Sequence, residues 1–176
     1  MSEQEIAAAP EAELRTAQAM DIVKRNVLWS AGAGVLPVPM LEMVAILAVE
    51  VKLIKELADH YGTSYRKDLA KSAVVSLVGS LGSVAVGKMV AFSSLRAIPV
   101  LGQIVATAAV PGIAAAITYA IGRVFVSHFE AGGTLLDFDP AEMREYFRQE
   151  VSNGVKEAAS VKEAAAKAAP ITSKVA

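Results

Sequence analysis

Cysteine is absent from the 176-residue chain. That removes disulfides, thiolate metal sites and thiol nucleophiles together. Histidine is scarce: His60 and His128 stand far apart, with no carboxylate or thiol spacing that suggests zinc. Aromatic residues make up only 6%, whereas a soluble core of this size normally leans on them for bulk. A charge surplus is also missing, with 17 Lys and Arg against 18 Asp and Glu. Nucleic-acid binding needs a concentrated basic field, and no such partner is expected. The start, MSEQEIAAAPEAEL, lacks the basic and apolar regions of a signal peptide, so a cytoplasmic N-terminus is the expectation.

What is present is aliphatic. The hydrophobic fraction is 54% and the mean hydropathy is +0.44. The surplus comes from Ala, Val, Leu and Ile, the residues of closely packed or lipid-facing helices. Two stretches carry the signal. Residues 72–87 have no charge, and Ala97 to Gly122 form an uncharged run of 26 residues. About 20 such residues suffice for a helix to cross hydrocarbon.

The pattern predicts an all-α, membrane-embedded fold of two hydrophobic helical hairpins followed by an amphipathic C-terminal helix. Residues 1–10 read as a flexible tail and 11–133 as the helical membrane domain, with hairpins over 11–62 and 63–131. In the first hairpin, Pro37-Val38-Pro39 forms the bend, since proline removes a donor and restricts the residue before it. The second helix places Met40, Met43, Val44, Leu47, Val51, Ile54 and Ala58 at helical spacing. Glu42, Glu50, Lys52, Lys55, Glu56 and Asp59 are assigned to the rest of its circumference. Gly62 is a suitable stop. In the second hairpin, Pro99 and Gly102 mark the bend. Residues 134–169 form the charged C-terminal helix, started by Asp139-Pro140-Ala141-Glu142, and 170–176 are a loose tail.

Small residues recur every four positions: Gly79, Ser83 and Gly87 on one arm, Ala108, Gly112, Ala116 and Ala120 on the other. Such spacing lets helix backbones approach closely, and these are the expected packing residues, within one chain or between neighbours. Gly82 to Lys88 matches a phosphate-binding loop until Met89 replaces the required hydroxyl. The expectation there is helix packing, because no strand precedes the motif. Asp137, Asp139 and Glu142 are explained by helix capping better than by a cation. Glu42, close to the Pro-Val-Pro bend, reads as structural. No catalytic residue, cofactor or metal site is expected, and the chain is not expected to be an enzyme.

Several of these features resemble the YcjF-like family, known as domain of unknown function 697. They are Ala31-Gly32-Ala33-Gly34 before the Pro-Val-Pro bend, Lys55 to Gly62, Ile98-Pro99-Val100-Leu101-Gly102, and Ala114 to Phe129. The resemblance spans about residues 22–130. It implies membrane association and a GTPase partner supplied separately, since family members often carry a GTPase domain that this sequence does not show. It implies no catalytic residues.

The functional expectation is a membrane-anchoring or membrane-shaping scaffold. Its partners would be the lipid bilayer, further copies of itself, and a GTPase or other protein reached through the C-terminal helix. Lys24, Arg25, Arg66, Lys67, Lys71 and Arg123 lie outside the bends, so the positive-inside rule predicts cytoplasmic termini at a bacterial inner or internal membrane. The rival is a soluble helical interaction module whose apolar hairpin is a buried core. A channel is a weaker third reading, resting only on Gln103, Thr107 and Thr118.

Overall fold

A computed structural model describes the backbone of residues 3–33, 39–82 and 101–168, and the side chains of 10–31, 44–82 and 112–156. Among the described residues there are five helices: α1 (Glu3–Ala33), α2 (Pro39–Tyr61), α3 (Lys67–Gly79), α4 (Leu101–Glu130) and α5 (Arg144–Ala168). No strand occurs among the described residues, so the all-helical expectation holds.

Helix α4 is the axis. Its apolar residues continue around the whole circumference, the pattern of a helix enclosed by others. Ile117, Ile121, Val124, Phe125 and Phe129 are buried on it. Helix α1 runs antiparallel to α4, because Val23 lies against Gly122 while Thr16 reaches Glu130. Helix α2 runs parallel to α4, with Glu50 beside Thr118 and Tyr61 beside Glu130. Helix α5 returns antiparallel, pairing Glu150 with Arg123 and Gly154 with Ala116. Core side chains come from every layer: Val23 from α1, Leu53 and Leu57 from α2, Val74 and Leu77 from α3, and Phe147 from α5.

Several boundaries differ from the sequence expectation. Helix α1 begins at Glu3 and continues through Pro10 instead of starting near Glu11; the Ala7-Ala8-Ala9 run has the highest helix propensity available. Pro39 is not part of a bend but the first residue of α2, a position where its missing N–H is not needed. Gly102, assigned to the second bend, is inside α4. Pro37 and Pro99 lie outside the described residues. Helix α3 stops at Gly79, and Gly82 takes a left-handed φ of 78°, a conformation glycine adopts without a Cβ clash. Of the expected face Gly79, Ser83 and Gly87, only Gly79 is among the described residues, at the last position of α3.

Near the other end, Gly62 has φ 69° and the Thr63 N–H donates to the Ala58 carbonyl, closing α2 as expected. Asp139 accepts the Ala141 N–H at 2.7 Å. Its turn precedes a helix that starts only at Arg144.

Candidate functional site

The bundle has two unlike ends. At one, where α2 finishes and α4 finishes, polar groups interlock. Glu130 accepts hydrogen bonds from Tyr61 at 3.0 Å and from the Thr16 hydroxyl. The His60 ring bonds the Arg15 carbonyl oxygen at 2.9 Å, and the Arg15 guanidinium lies 5.4 Å above the Tyr61 ring. Burial, reinforced by Glu130, pushes the Tyr61 phenol well above its ordinary range. His128 bonds the Thr134 carbonyl and packs edge-on against Phe138. Asp137 accepts from the Thr134 N–H at 2.7 Å and from its hydroxyl. The Asp137 and Asp139 carboxylates are thus each engaged in their own turn, and no metal-ligating cluster occurs among the described residues.

Toward the opposite end the surface becomes apolar. Leu28 and Trp29 on α1 are 75% and 64% exposed, and Val44 on α2 and Val75 on α3 are each more than half exposed. Because Val23 is level with Gly122 and Glu50 with Thr118, these four side chains form a rim around α4 near residues 112–118. Residues 83–111, whose only charges are Lys88 and Arg96, follow α3 and precede that level of α4 in the chain.

Two buried polar features sit between the ends. On the α1–α2 seam, Asn26 is fully buried. It donates to Glu56 at 2.6 Å and to the Ile22 carbonyl at 3.0 Å, and accepts from Lys52 at 3.2 Å. Partial burial works to raise the Glu56 carboxyl, but hydrogen bonds from Lys52, Asn26 and Arg25 outweigh it and hold the group below its usual range. The second feature is Glu50, assigned from the sequence to the polar circumference of α2. It is 1% exposed, and burial raises its carboxyl to about 8 despite a hydrogen bond with Thr118. Its register explains the correction: Glu50 is four residues before Ile54 and three before Leu53, which share its buried face. The sequence signal was Thr118, a hydroxyl inside a mostly aliphatic run.

The expected small-residue seam is only partly assembled by the described residues. Ala116 and Ala120 are buried, and Ala116 meets Gly154 of α5, a residue the sequence reading did not single out. Around Gly79 and Gly112 nothing described comes within 4 Å of where a Cβ would stand. Ala108 lies in α4 with its side chain undescribed, and Ser83 and Gly87 are outside the described residues, as is the Glu42 side chain. Among the described residues, α5 comes close to the α4 backbone at Ala116, and the Val23 side chain of α1 packs on α4 at Gly122.

An all-helical bundle around one aliphatic helix, without an assembled catalytic set among the described residues, defines the protein's class. The sequence matches the family described as Domain of unknown function (DUF697) over residues 3–157, and the chain belongs to that family. It is also similar to magnetosome membrane protein 22 of Magnetospirillum gryphiswaldense, with 36% identity over 153 residues, covering 87% of this chain and 78% of that one. No solved structure matches.

Proposed function

We propose that this protein is a non-enzymatic, membrane-embedded scaffold of a bacterial inner or internal membrane. The observation that carries the reading is an exposed apolar rim, Leu28, Trp29, Val44 and Val75, at the level of α4 that adjoins in sequence the stretch 83–111, whose only charges are Lys88 and Arg96. Exposed apolar patches bordered by polar surface mark contact with membranes or proteins, and Trp favours the headgroup level. The similarity to a protein named for the magnetosome membrane supports the same location.

Length then bears on the mode of embedding. Two crossings need about 40 residues, whereas 83–111 offer fewer than that and include Lys88 and Arg96. A hairpin that dips into one leaflet fits this length, with the bundle and both termini on the cytoplasmic side. Self-association through Gly112 and the charged far end of α5 as a partner-binding arm belong to this proposal.

One observation favours the soluble interaction module as a second reading. The helix segment Gly112–Glu130 is long and apolar enough to cross a membrane, yet 61% of it is buried inside the bundle. Its hydrophobicity is accounted for by protein packing. Carbonate extraction followed by vesicle flotation separates the two readings. The scaffold floats with vesicles, and Leu28→Glu combined with Trp29→Glu weakens that association without loss of helical content. Recovery of the parent as monodisperse protein from an untreated aqueous fraction overturns the membrane reading.

A further inference from the structure

Between α2, α3 and α4 lies a cavity of about 310 Å³. Leu47, Val74 and Ile117 form its walls, and the largely exposed Val44 and Val75 stand at its mouth. Glu50 is the one ionisable residue lining it. A buried acid in an aliphatic wall is costly unless its oxygens are satisfied, and only one of them is. Oε1 lies 2.6 Å from the Thr118 hydroxyl, while Oε2 is buried without a hydrogen-bond partner among the described residues.

The hydroxyl geometry fixes what the free oxygen can do. Thr118 Oγ1 is also 3.0 Å from the Ala114 carbonyl oxygen. A threonine hydroxyl has a single proton, and a carbonyl oxygen can only accept. When that proton goes to Ala114, Glu50 is protonated on Oε1 and donates to Thr118. When it goes to Glu50, the acid is ionised or carries its proton on Oε2. Oε2 therefore needs a donor when it is bare and an acceptor when it is protonated, and a terminal hydroxyl or amine supplies either.

We propose that this cavity binds an unbranched aliphatic molecule ending in a primary alcohol or a primary amine, with that head hydrogen-bonded to Glu50 Oε2. The volume lies at the small end of ligand pockets, roughly 300–1,000 Å³. At about 30 Å³ for each water-sized group, it holds roughly ten non-hydrogen atoms. The aliphatic tail replaces poorly hydrated space along Leu47, Val74 and Ile117, and the head satisfies the orphaned oxygen. An amine enters as the ammonium and leaves Glu50 ionised, forming a buried ion pair. An alcohol leaves it protonated. The mouth shares Val44 and Val75 with the apolar rim, and the titrations below, made without vesicles, read the site apart from the membrane reading.

The test uses the full chain, titrated with 1-octanol, octylamine and n-octane, and followed by calorimetry and by shifts of the Thr118 and Val78 NMR signals. Octanol and octylamine bind saturably, and octane, which can neither donate nor accept, binds about tenfold more weakly, the loss expected for one hydrogen bond to an otherwise orphaned group. Glu50→Gln keeps an accepting oxygen but cannot ionise. It therefore weakens octylamine about tenfold or more while octanol changes by less than about threefold. Val78→Trp fills the cavity and abolishes both, with circular dichroism confirming the fold. Equal binding of octane and octanol overturns the role of Glu50. Absence of any saturable shift in a folded parent, or binding unaffected by Val78→Trp, overturns the site.

Discussion

Gly154 of α5 and Ala116 of α4 touch backbone to backbone: a Cβ on Gly154 would stand 3.1 Å from both Cα and Cβ of Ala116. Neither side has a flexible side chain that could yield. Gly154→Val should therefore push α5 away from α4 and destabilise the bundle by about 1–3 kcal/mol, the usual cost of overpacking. Denaturant unfolding followed by circular dichroism measures it. A midpoint unchanged from the parent would show that α5 is not held there.

Glu50 gives the bundle a pH dependence of defined sign. Its carboxyl titrates at about 8 when folded, against 4.5 for the ordinary group. The folded state thus holds a proton that the unfolded state has already lost across that window. The associated stability is full below about 4.5, declines as pH rises, and is gone above about 8. Each tenfold difference in proton affinity is worth about 1.4 kcal/mol, so the total is a few kcal/mol. Glu50→Gln should flatten the profile and make the variant more stable than the parent at pH 9. Parallel profiles for the two proteins would mean that Glu50 is solvated.

Arg148 of α5 donates from Nε to the Ser80 carbonyl oxygen at 3.0 Å and from Nη2 to the same atom. It fastens the end of α3, whose last carbonyls have no helical partner. Arg148→Ala should cost about 0.5–1.5 kcal/mol. Amide exchange should rise locally over Val74 to Ser80, and uniform exchange along the chain would contradict this clamp.

Much of the architecture was legible in the sequence because helix hydrophobicity is a local signal. The aliphatic runs gave the helices, and Gly62 gave the end of α2. What could not be read is which helix lies against which. The small-residue spacing on α4 was visible, but its partner was expected on the third helix, whereas Ala116 is met by Gly154 across the bundle. That partner sits in a charged, low-complexity helix whose composition suggests a solvated spacer. Glu50 was misplaced for a related reason: a carboxylate among Lys52, Lys55 and Glu56 looks like surface until Thr118 is brought beside it. Asn26 likewise carries no signal by itself, because its meaning depends on Lys52 and Glu56 from another helix.

Gly112 remains as the test of self-association. Nothing described comes within 4 Å of its absent side chain, and it lies level with the apolar rim. Within one chain, a larger residue has room, and Gly112→Leu should leave the helical content unchanged. It should even remove a helix-destabilising glycine, a gain of up to about 1 kcal/mol. Between copies the same substitution acts oppositely, because closely approaching helices in lipid depend on small residues at the contact. Crosslinking in vesicles, compared with Val105→Leu as a change of lesser bulk, reads the difference. A scaffold assembling through this face loses its crosslinked species in Gly112→Leu alone, while thermal stability holds or rises. If both variants crosslink like the parent, copies of the chain meet through some other surface. If Gly112→Leu instead lowers stability, Gly112 is a packing position within the chain.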